Sequence, residues 1–513
     1  MAGRIILPDI GLGELTMHSQ LPLHLYNAAS VRALDAQIIA AGIPGIELMQ
    51  RAAAAVWREL RRRWPQARSI LILCGGGNNG GDGYLVARLA LQAGWDVRLL
   101  ALVAPDKLTG DAAQACLMAA EAGVVAESWA GELPDADVIV DALLGTGLQQ
   151  NVREPYRALI KQLNQQPAPI IAVDLPSGLN ADRGCVEGIA VAADVTVTFI
   201  ALKPGLFTGQ GPDLVGELEF APLVAKVPSS VPPQLERLSL SSAVGLPPRP
   251  LASHKGNFGH LLIIGGNNGM GGAALLAAET ALRCGAGKVT VASRSMHLPG
   301  FLARCPEVMA HGVDDPAQLA PLLEQATAVV LGPGLGKDQW AEDLLQSVLE
   351  SGLPRILDAD GLNLIASAAQ ALWLGPTSVI TPHPAEAARL LGVETAAVQG
   401  DRVGAVTALA ERFACVAVLK GVGSLVAGPS IERLPSLCSD GNPGMASAGM
   451  GDVLSGLVGA LLAQGMAASD AARYAVLLHA LAGDRAAEQA GQVGLLASDL
   501  ISFIRFYLNQ RNI

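Results

Sequence analysis

The stretch GNPGMASAGMGDVLSG (441–456) sets a single carboxylate, Asp452, among glycines and directly before an apolar run from Val453 to Leu462. Glycines let backbone N–H groups crowd round an anion with no Cβ in the way. A helix starting there aims the positive end of its dipole at the same point. A carboxylate so placed repels phosphate unless its task is to take a proton from a hydroxyl about to meet phosphorus. The competing reading is plain helix capping, since Asp is a favoured N-cap residue.

Other polar loops recur at the ends of apolar runs. In the first half these are LILCGGGNNGGDGYLVARLA (71–90), VDALLGTGL (140–148) and AVDLPSGLN (172–180). The first has the strand–glycine turn–helix context of a phosphate cradle but not the spacing of the dinucleotide fingerprint. The other two bring Asp141, Asp174 and Ser177 to strand ends, where ligands of open α/β sheets gather. Taken singly, each also reads as turn or cap chemistry. In the second half GGNNGMGG (265–272), GPGLG (332–336), LDADGLN (357–363), ITPHPAEAARLLG (380–392) and VLKGVGSLV (418–426) also follow apolar runs.

The elements that must carry these loops alternate. Val- and Ile-rich runs at 69–73, 97–103, 138–140, 170–173 and 195–199 are separated by Ala-rich helical patterns. The second half repeats this at 260–264, 288–292, 328–331, 355–357, 378–380 and 416–419. Such alternation predicts parallel sheets covered by helices on both faces, an α/β protein in both halves. Helices are expected over 24–64, one starting at Asn27 or Ser30 and ending near Gly42-Ile43-Pro44. The proline- and serine-rich segment 226–250 lacks either periodicity and reads as a linker, with the boundary near residue 230.

With 513 residues, 51% hydrophobic and 16% charged, the chain is long enough for two domains with large cores. The net charge of −11 argues against a nucleic-acid or anionic-membrane surface. Seven scattered cysteines without CxxC spacing indicate neither a zinc site nor a disulfide framework, which suits a reducing cytoplasm. The first twenty residues make a poor signal peptide, and the run after Asp452 is too short to span a bilayer.

Four first-half motifs, IPGIELMQRAA, GGGNNGGDGYLVAR, DALLGTGL and VDLPSGLNAD, occur in the order found in the YjeF N-terminal family, the NAD(P)HX epimerases, and residues 24–225 resemble it. The resemblance implies a Rossmann-like three-layer domain that interconverts the R and S epimers of hydrated nicotinamide nucleotides. By motif, Asn78, Asn79, Gly80, Gly81 and Asp82, with Gly145, Thr146, Gly147, Leu148, Gln149, Gln150 and Asn151, would hold the nucleotide. Asp174 would serve proton transfer at the nicotinamide end. Asn79, Asp141 and Ser177 would bind a monovalent cation, expected to be potassium.

Residues 240–510, most specifically TPHPAE and GMGD, resemble the YjeF C-terminal family, the ADP- or ATP-dependent NAD(P)HX dehydratases of ribokinase-like fold. The resemblance implies that Lys420, Gly421, Val422, Gly423, Ser424 and Gly451 hold an adenine nucleotide. Ala273, Gly334, His383 and Asp452 would contact the hydrate, with magnesium bridging the nucleotide phosphates. The expected layout is an extension (1–23), an epimerase domain (24–226), a linker (227–250) and a dehydratase domain (251–513), in a cytoplasmic homo-oligomer. Two rivals remain: a small-molecule kinase of hydroxymethylpyrimidine or thiazole type, and a non-catalytic scaffold. TPHPAE disfavours the first. The retained Asp141, Asp174 and Asp452 disfavour the second.

Overall fold

The computed structural model describes residues 21–368, 372–430 and 433–510. Most of the expected N-terminal extension lies outside them. Apolar runs four to six residues long, buried on both faces, form the centres of two parallel sheets, as expected for strands crossed over by helices.

The first sheet has seven strands, ordered 126–128, 96–101, 69–74, 138–142, 170–173, 195–199 and 217–221, all parallel. Strand Ser69–Cys74 lies between Asp96–Ala101 and Val138–Ala142, so the winding reverses beside it. The crevice outside the carboxyl ends of these strands is the place where open α/β sheets bind ligands. Gly75–Gly77 and Leu143–Gly147 flank it. Two amphipathic helices, Ala28–Ala40 and Gly45–Arg63, cover one face, the first capped by Asn27 Oδ1 accepting the Ser30 N–H at 2.8 Å.

The second sheet has eleven strands. Its parallel part runs in the order 309–312, 288–293, 260–264, 328–331, 355–357, 378–380 and 416–419. Ser424–Ala427 and Ser436–Cys438 continue it antiparallel. Its switch point lies between His260–Ile264 and Ala328–Leu331, where GGNNGMGG meets GPGLG. The two similar Gly-Asn-Asn loops of the chain therefore sit at equivalent topological positions of two different sheets.

Residues 227–250 are more than a tether. Leu235–Arg237 forms a strand parallel to Ser436–Cys438 and antiparallel to His24–Leu25, so the second sheet ends on residues from the first half and the linker. Three residues between proline-rich turns are too few to show a strand period, although Leu235 and Arg237 are buried. The apolar core on this face is continuous between the halves, joining Leu175, Leu202 and Phe207 to Leu357, Leu419 and Leu425.

Candidate functional site

At the first switch point, Gly75 donates its N–H to Ala142 O at 3.0 Å, and a Cβ at Gly75 would lie 1.9 Å from Leu143 O. Only glycine lets the two strand ends approach this closely. Helix Asn78–Gln92 starts here, so its free N–H groups and dipole face the crevice. A cavity of about 1030 Å³ opens there. Asn78, Asn79, Asp82, every residue from Gly145 to Asn151, and Asp174 line it, together with Asp35 and Lys203. Gly80 and Gly81 do not. A Cβ at Gly80 would lie 2.1 Å from Gly75 O, and one at Gly81 would lie 2.6 Å from Met49 Sδ. Both glycines sit on the packed side of the helix, so close packing accounts for the absence of a side chain at each.

Asp174 adopts φ 66°, a left-handed backbone that Asp and Asn tolerate better than other non-glycine residues. Its Oδ1 accepts from Thr198 Oγ1 and the Phe199 N–H, each at 3.2 Å, and from Lys203 Nζ in a close ion pair. Lys203 is fully buried and also donates to Thr198 Oγ1 at 2.9 Å and Phe199 O at 3.1 Å. Two further carboxyls share the cavity. Burial raises Asp35 to about 6, with Lys203 opposing and Asp174 adding, and its Oδ1 is buried without a hydrogen-bond partner. Burial, then the charges of Asp174 and Asp35, raises Asp82 well above the carboxylate range.

Asp141 and Ser177 lie behind the cavity wall rather than in it. Asp141 is fully buried, accepting from Ser177 Oγ at 2.6 Å, the Ser177 N–H at 2.8 Å and the Leu143 N–H at 3.2 Å. Ser177 Oγ also meets the Leu144 backbone, and Asn79 Nδ2 donates to Leu144 O at 3.2 Å. Asn79 and Ser177 thus meet at the Leu144 carbonyl, and Ser177 links that point to Asp141. Burial lifts Asp141 to about 6 against the pull of these hydrogen bonds.

In the second half, parallel pairing sets three chain ends side by side. Strands Arg355–Leu357, Ser378–Ile380 and Val416–Leu419 are neighbours and release Asp358, the 381–383 turn and Lys420 at one edge. Lys420 Nζ donates to Asp358 Oδ1 at 2.9 Å, and Ser455 Oγ donates to Asp358 Oδ2 at 2.7 Å. Burial alone would raise Asp358, but Lys420 and Ser455 bring it below its ordinary value. Burial opposes the charge on Lys420, yet Asp358, Glu386 and Asp452 raise its pKa. A Cβ at Gly451 would lie 3.2 Å from Lys420 Nζ, so the anion loop reaches this pair.

Helix Met450–Ala463 begins after Gly449, whose φ of 88° turns the chain inward. Asp452 therefore lies within the first turn rather than ahead of the helix. No side chain caps this helix, so the capping alternative falls. Burial, then Asp358, raises Asp452 to about 7, with Lys420 opposing. A carboxylate poised near neutrality is suited to general-base work.

Gly334, at φ 58°, packs against the start of helix Gly271–Arg283: a Cβ there would lie 2.6 Å from Met270 O and 3.3 Å from the Ala273 Cβ. The helix Gly271–Arg283 that carries Ala273 packs against Met450–Ala463, with Ala277 against Gly456. His383 caps helix Pro384–Leu391. Its Nδ1 accepts the Ala385 N–H at 3.1 Å, and Glu386 Oε2 accepts the His383 N–H at 2.8 Å. Burial, then Lys420 and Arg389, lowers its pKa, so the ring is neutral near pH 7.

Three functional groups escaped the sequence reading. Asp35 sits on the buried face of its helix beside Val31, Leu34 and Ile38, a misplaced carboxylate on an apolar stripe. Lys203 is the one cation in the apolar run FIALKPGLF (199–207). Asp358 lies within LDADGLN, where its pairing with Lys420 across an intervening strand has no local signal.

Two family models match the chain: one described as NAD(P)H-hydrate dehydratase over residues 261–505, and one described as YjeF-related protein N-terminus over residues 45–205. The bifunctional NAD(P)H-hydrate repair enzyme Nnr of Coxiella burnetii is 45% identical over 506 residues, covering 94% of this chain and 99% of the relative. The Escherichia coli enzyme of the same name is 44% identical over 475 residues, covering 91% and 90%. Among solved structures, the ADP/ATP-dependent NAD(P)H-hydrate dehydratase from Bacillus subtilis co-crystallized with ATP and Mg2+ aligns with 51% of this chain and 93% of that one. It does so at 31% identity and a TM-score of 0.47.

Proposed function

The chain belongs to the family of bifunctional NAD(P)H-hydrate repair enzymes, and on that premise we propose that its two sheet-edge sites perform successive steps on one damaged cofactor. The first site interconverts the R and S hydrates. The second dehydrates the S hydrate to NAD(P)H, driven by a nucleoside diphosphate or triphosphate. The observation that carries the reading is Asp452, raised to about 7 in the first turn of a glycine-led helix beside the Asp358–Lys420 pair.

The chemistry follows from the substrate. Its ring hydroxyl is a poor leaving group. Asp452 takes the hydroxyl proton as the oxygen attacks the terminal phosphorus of the nucleotide. The N–H groups at the start of Met450–Ala463 stabilise charge on the transferred group. The ring nitrogen lone pair then expels phosphate, a proton leaves the neighbouring carbon, and the dihydropyridine is restored. Lys420, Gly421, Val422, Gly423, Ser424 and Gly451 hold the nucleotide. Among the described residues no group of three His, Cys, Asp or Glu side chains is placed to hold a metal ion; magnesium would be held mainly by the nucleotide phosphates.

At the first site Asp174 moves the proton at the nicotinamide end, and Lys203 fixes its orientation. Asn79, Asp141 and Ser177 suit a monovalent cation, because Asn79 and Ser177 both reach Leu144 O and the buried Asp141 carboxylate lies against Ser177. A cation held by these residues would supply counter-charge to Asp141. The protein acts in the cytoplasm as a homo-oligomer. Among the described residues no helix is long and apolar enough to cross a membrane.

Purified protein incubated with mixed hydrate epimers and each nucleotide is expected to recover reduced-cofactor absorbance and release inorganic phosphate in equal amounts. A stable phosphorylated product instead would mean a kinase. The dehydration rate is expected to fall about tenfold per pH unit below about 7, because only the carboxylate form of Asp452 is a base. A flat profile down to about pH 5 would exclude that role.

The cation site has a separate signature. Asp141 is raised from 3.8 to about 6, so the folded state holds the proton more tightly than the unfolded one. Without a counter-ion the protein loses stability as pH rises through that window. Added potassium is expected to raise the melting temperature by several degrees at about pH 8 and hardly at all at about pH 5, compared with tetramethylammonium. Equal effects at both values would count against the assignment.

A further inference from the structure

The loop Lys420–Ser424 is not finished by its own domain. Its carbonyls are held from below by two buried side chains. Thr208, fully buried and belonging to the first half, donates its hydroxyl to Val422 O at 3.2 Å. Arg402, only 2% exposed, donates Nη2 to Lys420 O at 3.2 Å, Nε to Thr208 Oγ1 at 3.0 Å and Nη1 to Gln399 Oε1 at 2.8 Å. The first half also presses on the loop backbone. Gly423 has φ 65°, and a Cβ there would lie 2.2 Å from Phe207 O and 2.9 Å from the Thr208 Cα.

A trans peptide points its C=O and the next N–H in opposite directions. Pinning Lys420 O and Val422 O on Arg402 and Thr208 therefore turns the Gly421 and Gly423 N–H groups to the opposite side, two residues apart and both aimed away from the core. Alternate N–H groups on one side of a glycine turn are an anion cradle. The three acceptors around the Arg402 guanidinium are all neutral. A buried cation so placed is stabilised when an anion settles over the loop.

We propose that the first domain completes the nucleotide site of the second. Thr208, with Arg402 as go-between, is a positioning residue that sets the Lys420–Ser424 loop in its nucleotide-accepting form. The proposal rests on the reading of that loop as a nucleotide-binding segment. It also ties the two sites to one short stretch. Lys203 pairs with Asp174 in the first site, and Thr208, five residues on, supports the second. The halves of this chain are therefore not interchangeable modules, because removing the first leaves the nucleotide loop unsupported.

The test uses the full chain with Thr208→Val, which keeps the side-chain shape and removes the hydroxyl, and Thr208→Ser, which keeps the hydroxyl. Thr208→Val is expected to raise the nucleotide KM for dehydration about five- to tenfold, with kcat within about twofold and the rate of R-to-S epimerisation unchanged. Thr208→Ser is expected to return the nucleotide KM to near the parent value. An unchanged KM in Thr208→Val would overturn the proposal, as would a parallel fall of both activities and the melting temperature in both variants. Hydrogen exchange of the parent protein separates the premise from the inference. ADP is expected to protect the Gly421 and Gly423 amides, and absence of protection there would remove the nucleotide reading and the proposal with it.

Discussion

Asp452→Asn is expected to reduce dehydration of the S hydrate by about a thousandfold while leaving nucleotide affinity within a few-fold of the parent. The substitution keeps the shape of the side chain and removes its ability to accept a proton. No fold-level consequence is expected, because Asp452 caps nothing and lies half-buried in the first turn of its helix. Burial and Asp358 already disfavour its charge, so the neutral amide relieves a strain rather than creating one. The melting temperature above about pH 7 is expected to hold or rise slightly, since a group whose carboxylate form is penalised in the folded state is gone. A weakened nucleotide KM with unchanged kcat would instead make Asp452 a binding residue, and a fully active variant would end the general-base assignment. The comparison with Lys420→Met sharpens the result. Losing that cation removes the counter-charge of the buried Asp358 and is expected to lower both nucleotide affinity and stability.

What the sequence alone discloses is set by periodicity and by local turn chemistry. All eleven expected strand segments coincide with observed strands to within two residues, because buried parallel strands read as unbroken Val and Ile runs. Several of the strands left unread have only one buried face or none, among them Ala126–Ser128, Glu217–Ala221 and the three-residue Leu235–Arg237, whereas Ser436–Cys438 is buried throughout but only three residues long. The glycine loops were legible because each answers a local demand, as at Gly75, where Leu143 O leaves no room for a Cβ. The pairings that give the loops their chemistry were not. Asp358 meets Lys420 only because the strands before them flank Ser378–Ile380, and Asp174 meets Lys203 only because neighbouring strands end level with each other. Contacts that depend on strand order rather than on sequence spacing leave no periodic trace. The same holds for Thr208 and Arg402, which lie 194 positions apart.

Asp174→Asn is expected to separate the two activities. Conversion of the R hydrate should fall by a factor of about 100 to 10,000, while added S hydrate is still restored to reduced cofactor at the parent rate. Asparagine is the appropriate replacement because position 174 has φ 66°, which Asn adopts more readily than alanine. The amide can still accept from Thr198 and Phe199, so the local geometry survives, whereas the charge that pairs with Lys203 is lost. A buried lysine deprived of its carboxylate is expected to destabilise the first domain by about 3–5 kcal/mol if it stays charged, and less if it gives up its proton. The thermal midpoint of the variant must therefore be measured beside its rates, and a second variant, Lys203→Met with Asp174→Asn, removes both charges together. That pair is expected to regain stability without regaining epimerisation. If instead the double variant converts the R hydrate, proton transfer at this site belongs to another group, and Asp35, with its unpartnered buried oxygen in the same cavity, is the next carboxyl to remove. If Asp174→Asn in a folded protein stops repair of both epimers, the division of labour between the two sheet edges is wrong.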